Sequence, residues 1–329
     1  MKLSADLFCL RFNEWTPFQY LDYASEIGLD AVMFPDPDFF ETLDDAYLQE
    51  VRAHADSLNI ALEVGMYSIC PTSTSFSAKR GTAEEQLRDM LRVAQITGSS
   101  AVRCLLGSNA DRRTPTPLAV HMENTAATCR AVRAQALEMG LKIAIENHAG
   151  DMLGRELKQL VEQAGPDYVG VCIDAGNPLW VGESPFITLD HLAPYVLMSH
   201  IRDTAVWADP RGAAAQWVAM GDGTIDIERW SRRYMAECPN TIFTLEIITS
   251  LAPRILNYLE PEYWEAYREM PAWEFAQFLQ IVHNGRPHTL ATLTANWGNL
   301  DPDVKPALAA QQRAMLEKSV QYCRNVLGI

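Results

Sequence analysis

Along the chain, short runs of apolar and β-branched residues alternate with longer segments whose apolar positions recur every three to four residues. Runs at Leu7–Arg11, Ala31–Phe34, Ile60–Met66, Ala101–Leu106, Lys142–Asn147, Tyr168–Ile173, Val196–Ile201 and Thr241–Ile247 predict eight strands. Thr16, with Pro17 behind it and Gly28 twelve residues on, predicts a capped helix after the first run. Further helices are predicted over Asp44–Leu58, Ala83–Thr97, Leu118–Met139 (closed by Gly140), Arg155–Ala164, Pro185–Leu192 and Ile227–Glu237. Strands that are apolar throughout belong to a parallel sheet covered on both faces, and eight successive βα units imply closure into a (β/α)₈ TIM barrel. An open doubly wound sheet is the alternative. No GxGxxG follows an early strand, so a dinucleotide site has no support.

The barrel pattern covers residues 1–250, and residues 251–329 form a C-terminal extension. Its first part is rich in large rings: Tyr258, Tyr263, Trp264, Tyr267, Trp273, Phe275 and Phe278. A Pro/Thr-rich loop and a helix near Asp303–Leu327 follow. These helices are expected to pack on the barrel wall or at a subunit interface, with an aromatic lid over the active site as the other reading. The extension makes a homo-oligomer the expected state.

Composition narrows the function. With 27 basic and 42 acidic residues the net charge is −15, which argues against gripping a phosphate backbone, so no nucleic-acid partner is expected. No segment approaches the ~18 consecutive apolar residues of a membrane helix. The opening MKLSADLFCLRF reads as a first strand and not as a signal peptide. Seven cysteines, odd in number and without a CxxC, fit reduced thiols in the cytoplasm better than disulfides or zinc.

Side chains at the C-terminal ends of barrel strands face the active site. Four consecutive predicted strands end on metal-capable residues: Glu146, Asp174, His200 and Glu246, spaced 28, 26 and 46 residues apart. Neighbouring strands lie ~4.8 Å apart, so four such ends can converge on one ion. Three carboxylates and an imidazole make a hard, oxygen-rich set, suited to one divalent metal with Mn²⁺ the first choice and Mg²⁺ or Co²⁺ as alternatives. His148, two residues beyond Glu146, is the expected base. Orienting Glu146 or Asn147 is its other reading. Arg103 and Arg202 are expected to bind substrate hydroxyls or a carboxylate, or else to serve as ion-pair partners. Glu63 also ends a strand and is expected to point away, while His54, His121 and His191 fall on predicted helices as surface or packing residues.

The segments Glu146-Asn147-His148, Asp174-Ala175-Gly176-Asn177, His200-Ile201-Arg202-Asp203 and Leu245-Glu246 resemble the xylose isomerase-like barrel superfamily of sugar isomerases and epimerases. The resemblance implies a divalent metal on Glu146, Asp174, His200 and Glu246, and a sugar, keto-sugar or glycoside as substrate. It also implies that Glu146 and Glu246 could act as the acid/base pair. The stretch Met220–Asp226 is similar to the family's glycine loop. Two positions depart from the ketose 3-epimerase pattern: Asn177 stands where a histidine is usual, and Val206 where an arginine is usual. Asn177 is then expected to contact substrate.

Trp273-Glu274-Phe275 and His283-Asn284-Gly285-Arg286-Pro287 resemble a branch with decarboxylases of oxidised sugars and large subunits of C-glycoside deglycosidases, which a smaller subunit completes. The expected activity is therefore proton abstraction beside a carbonyl, as a lyase on a 3-oxo sugar. A sugar isomerase or epimerase is the alternative, and a non-catalytic sugar-binding or scaffold subunit the second.

Overall fold

The computed structural model describes residues 1–290, 292–296 and 300–329. Seven strands, β1 (Leu3–Asp6), β2 (Ala31–Phe34), β3 (Ala61–Ser68), β4 (Ala101–Leu105), β5 (Lys142–Glu146), β6 (Val169–Asp174) and β7 (Val196–His200), pair in parallel in sequence order. A hairpin of β8 (Asp203–Asp209) and β9 (Gly212–Val218) then leaves the wall, and β10 (Phe243–Leu245) returns beside β1. The barrel closes where the Ile201 N–H donates to the Thr244 carbonyl at 2.8 Å and the Glu246 N–H to the Ile201 carbonyl at 3.0 Å.

Helices α1 (Pro17–Glu26), α2 (Asp45–Ser57), α3 (Ala83–Thr97), α4 (Leu118–Ala131), α5 (Arg133–Met139), α6 (Gly154–Ala164), α7 (Pro185–Leu192) and α8 (Ile227–Glu237) fill the crossovers. Their ends follow local chemistry. Thr16 with Gln19, and Thr82 with Glu85, form reciprocal capping boxes that satisfy the first free N–H groups. The inward face of α3 carries Leu87, Met90, Leu91 and Ala94, all buried against the sheet.

Two elements differ from the sequence pattern. The first strand is Leu3–Asp6, and Leu7–Asn13 is a 3₁₀ turn. The Asp6 carboxylate accepts the Phe8 N–H at 2.6 Å, which turns the chain out of the sheet just after Asp6. The predicted helix Leu118–Met139 breaks at Val132, where Arg88 draws the Ala131 carbonyl aside with a 2.6 Å hydrogen bond.

The β8–β9 hairpin was not anticipated. It pairs with β11 (Arg254–Leu256) in a small antiparallel sheet. Gly212 makes this possible: its φ is 145°, and a Cβ there would lie 2.3 Å from the Leu256 carbonyl oxygen.

The extension adds α9 (Pro261–Glu265), α10 (Ala272–Asn284) and α11 (Lys305–Tyr322). Tyr258, Tyr263, Trp264, Phe275 and Phe278 pack edge to face or tilted on one another, so most of the aromatic cluster is a small core of its own. Trp273 projects outward, 59% exposed. Helix α11 braces loops on the mouth side: Gln312 Oε1 accepts the Phe12 N–H at 3.0 Å, and the Met220 N–H donates to Ser319 Oγ at 3.1 Å. Residues 291 and 297–299 of the Pro/Thr-rich loop lie outside the described residues. Among the described residues no helix is long and apolar enough to cross a membrane. All seven cysteines are buried and free.

Glu183 ties the start of α6 to α7. Buried at 2% exposure, it accepts the Gly154 N–H at 3.0 Å and the Thr188 hydroxyl at 2.5 Å. Burial pushes its carboxyl from 4.5 up to about 7, with Glu274 and Glu156 adding to the rise. The folded chain thus holds a proton that the unfolded chain has released between pH 4.5 and 7, and stability falls as pH rises through that window. Glu183→Gln removes this loss. Urea unfolding of variant and wild type should diverge by about 3 kcal/mol in the variant's favour on going from pH 4.5 to pH 8. A pH-independent difference would mean that Glu183 is ionised in the fold.

A candidate metal centre at the mouth of the barrel

Asp174 ends β6, and the chain turns immediately. Its Oδ1 accepts the Gly176 and Asn177 N–H groups at 2.6 and 2.7 Å. Asn147, one residue past β5, clasps the same strand end: its Oδ1 accepts the Asp174 N–H at 2.8 Å and its Nδ2 donates to the Asp174 carbonyl at 3.0 Å. Glu146 ends β5 and His200 ends β7, while Glu246 follows β10. The result is a ring in which Glu146, Asp174, His200 and Glu246 each offer one ligand atom, all within 4.8 Å of one another and all buried.

His200 Nδ1 lies 3.3 Å from a carboxylate oxygen of Glu146 and 3.3 Å from one of Glu246. Nε2 on its far side faces Asp6 Oδ2 at 3.1 Å, which favours a proton on Nε2 and a lone pair on Nδ1. Nδ1 is buried without a hydrogen-bond partner among the described residues, and two carboxylate oxygens face it. Such a set of acceptors facing one another calls for a cation between them. Four carboxylates, of Asp6, Glu146, Asp174 and Glu246, stand against two guanidinium groups, of Arg103 and Arg202, leaving two negative charges for a divalent ion to balance. The residues therefore fit a divalent metal. Cys172 also approaches Glu146 and His200, but burial pushes its thiol up and disfavours the thiolate.

The electrostatics follow from burial and pairing. Burial opposes the charged form of Glu146, yet Arg103 and His200 overrule it and hold the carboxyl well below the usual range. Arg103 Nε donates to Glu146 Oε2 at 2.5 Å, and its Nη1 to the Met66 carbonyl at 3.1 Å. Asn177 Nδ2 donates to Glu146 Oε1 at 3.2 Å. Burial raises Asp174 against the pull of Arg202, whose guanidinium pairs with both Asp174 and Glu246. Burial also disfavours a charged His200, but Cys172, Glu146 and Asp6 raise its pKa well above the ordinary value. The field that draws a proton to this imidazole draws a metal cation equally.

His148 sits half-buried beyond Glu146. Its Nδ1 lies 2.7 Å from the Gly107 carbonyl, an acceptor only, so Nδ1 carries the proton and Nε2 the lone pair. Burial, helped by Arg103, keeps it below its usual pKa despite Glu146. Asp151 braces it, accepting the His148 and Gly107 N–H groups at 3.1 Å each. The chain bends away at Ala149 and Gly150, whose φ values are 42° and 79°.

Several residues fall elsewhere than the sequence suggested. Glu63 points into the barrel, accepting the Thr244 hydroxyl at 2.8 Å, and burial lifts it to about 7. The strand-end reading of Glu63 as outward is corrected: β3 begins at Ala61, and its inward positions alternate through Glu63. Asp6 was missed because the first strand was placed four residues late. Met220–Asp226 wraps the carboxylate of Asp203, which accepts the N–H groups of Gly221 at 3.0 Å and Gly223 at 2.9 Å. His54 pairs with Asp22 on the surface, and His121 is held between Thr72 and Thr114.

Trp180 and Trp217 were not singled out in the sequence. They stack at 4.2 Å and 8°, with Arg202 over Trp217 at 4.1 Å and Arg254 over Trp180 at 4.3 Å. Only the hairpin brings Trp217 to this place, and no local pattern announces it.

A family model for the xylose isomerase-like TIM barrel matches residues 21–268. The 3-oxo-isoapionate decarboxylase of Pectobacterium atrosepticum is 23% identical over 185 residues, 56% of this chain. The chain spans 60% of the length of that curated relative. Among solved structures, a D-psicose 3-epimerase with D-fructose superposes with a TM-score of 0.61 at 14% identity, covering all of both chains. The 3-keto-D-glucoside 4-epimerase of E. coli superposes with a TM-score of 0.57 at 14% identity, covering 85% of this chain and 98% of the other. The eight-stranded parallel barrel and the family match agree, and the chain belongs to the xylose isomerase-like TIM barrel family.

Proposed function

We propose that this protein is a divalent-metal-dependent enzyme that removes a proton beside the carbonyl of an oxidised, 3-oxo sugar and so eliminates a neighbouring group, as a lyase. The observation that carries the reading is the pairing of a buried ring of acceptors with a neutral imidazole whose tautomer is set by Gly107. Glu146, Asp174, His200 and Glu246 would hold the metal, with Mn²⁺ favoured by three carboxylates and one imidazole. When bound, the metal supplies Lewis acidity toward a substrate carbonyl.

The chain's own groups divide the remaining work. His148 takes the proton on Nε2, and its lowered pKa keeps that nitrogen free near neutral pH. Arg103 holds Glu146 ionised and in place, which makes that carboxylate a weak base and favours His148 for the proton. Asn177 supports Glu146 from the other side and leaves its Oδ1 buried and unpaired, an acceptor for a substrate hydroxyl. Arg202 spans Asp174 and Glu246, and its buried Nε and Nη1, without a hydrogen-bond partner among the described residues, are the donors left for a substrate oxygen.

The name of the curated relative, a 3-oxo-isoapionate decarboxylase, supports a 3-oxo substrate and a bond broken next to it. The test is incubation of the Mn²⁺-loaded protein with 3-oxo-glycosides, a 3-oxo sugar acid and free ketoses, followed by NMR in deuterated water. Product release from a 3-oxo substrate, abolished by chelation, is expected. Turnover of ketoses alone would replace the lyase reading with the isomerase or epimerase one.

A further inference from the structure

Beside the metal centre, on the same mouth of the barrel, lies a second cavity of about 320 Å³. The loop after β4 contributes Asn109 and Arg113, the loop after β6 contributes Trp180, and β11 and α9 contribute Arg254 and Tyr263. Arg254 is half-buried and forms no ion pair among the described residues; nearby Arg113 disfavours its charge further. Among the described residues Arg113 has no carboxylate partner either, and its guanidinium donates to the Asn109 carbonyl at 3.3 Å. Adjacent Arg112, by contrast, is bound by both oxygens of Glu156 at 2.6 and 3.0 Å. Glu260 and Glu262 also line the cavity, but they are exposed at its rim and pair with neither arginine.

Two uncompensated guanidinium groups in one cavity are unusual in a chain with a net charge of −15. Burial disfavours the charge of half-buried Arg254, and the nearby guanidinium of exposed Arg113 adds to that, so the pair favours entry of an anion. The stack from Arg254 through Trp180 and Trp217 to Arg202 links this cavity to the metal centre. It also occupies both faces of each indole, so the tryptophans offer edges and no open platform for a sugar ring. Selection here is by charge.

We infer that this cavity is a second substrate subsite that binds an oxyanion, a carboxylate or a phosphate ester, carried on the part of the sugar substrate that lies away from the reacting carbon. Arg254 and Arg113 form the charge-assisted hydrogen bonds, and Asn109 and Asn257 line the site beside them. This rests on the reading of the metal centre as the place of reaction, and it narrows the substrate to one bearing an acid group.

Calorimetric titration of the Mn²⁺-loaded protein with inorganic phosphate, D-glucuronate and neutral D-glucose tests it. An oxyanion should bind and glucose should not; phosphate alone would identify a phosphate ester, and glucuronate alone a carboxylate. Arg254→Gln and Arg113→Gln should each weaken oxyanion binding roughly tenfold. Arg113 is exposed, so its variant reports even if loss of the Arg254 stack disturbs the fold. Glu246→Gln should leave oxyanion affinity within about threefold while removing turnover, which separates this subsite from the metal centre. Absence of binding by both oxyanions overturns the inference. So does affinity that survives both arginine substitutions or is lost only with Glu246→Gln. If no sugar is turned over but the arginine variants still lose oxyanion binding, the subsite stands and the proposed reaction falls.

Discussion

Glu146→Gln is expected to lower turnover by at least about 10³-fold and to weaken Mn²⁺ binding by more than about 100-fold. The change keeps the side chain's shape and deletes one charge from a ring of four ligand atoms packed within 4.8 Å. A second cost appears in stability. Arg103 is 4% exposed, and its carboxylate partner is Glu146. Without that carboxylate the guanidinium is a buried, unpaired charge, worth roughly 3–5 kcal/mol of destabilisation. The two effects can be separated. Glu146→Gln combined with Arg103→Met should recover most of the stability in urea unfolding, while metal binding and turnover stay lost. Retention of near wild-type Mn²⁺ affinity in the single variant would show that Glu146 serves Arg103 and not a metal.

His148→Gln should reduce turnover by about 10²–10⁴-fold, the range for losing a positioned general base. Here the metal ligands are untouched, so Mn²⁺ affinity should stay within a few-fold. The sharper readout is exchange of the substrate's C–H for deuterium, which should fall in step with turnover. A parallel collapse of Mn²⁺ affinity would give His148 a positioning role toward Glu146 two residues earlier. Undiminished exchange would place the base on another group, and Glu246, which lies on the far side of His200 from Asp6, is the first to examine.

How far the site could be read from the chain depends on what each residue needs from its neighbours. Glu146, Asp174, His200 and Glu246 stand at the ends of apolar runs, so strand periodicity alone put them on one rim. His148 followed from them by adjacency. Asp6 escaped because Leu7–Arg11 is also apolar and only the hydrogen bond from the Phe8 N–H shows where the strand stops. Glu63 escaped for a related reason: one residue of register decides whether a strand side chain faces the barrel axis or the helices. The departures at Asn177 and Val206 acquire separate meanings. Asn177 touches the Glu146 carboxylate, whereas Val206 is buried on the hairpin with its carbonyl accepting the Thr224 hydroxyl at 3.1 Å.

By itself the sequence determined the barrel, the order of its strands and the four residues that converge at its rim, because these rest on periodicity and on spacing within single βα units. Tertiary structure decided the rest. It set the tautomer of His148 through a carbonyl 41 residues away and turned Glu63 inward against Thr244. It folded the β8–β9 hairpin against β11, which brought Trp217, Trp180 and Arg254 into one stack beside the metal centre. Those contacts join residues far apart in the chain. Their energies come from burial and pairing that exist only once the barrel has closed.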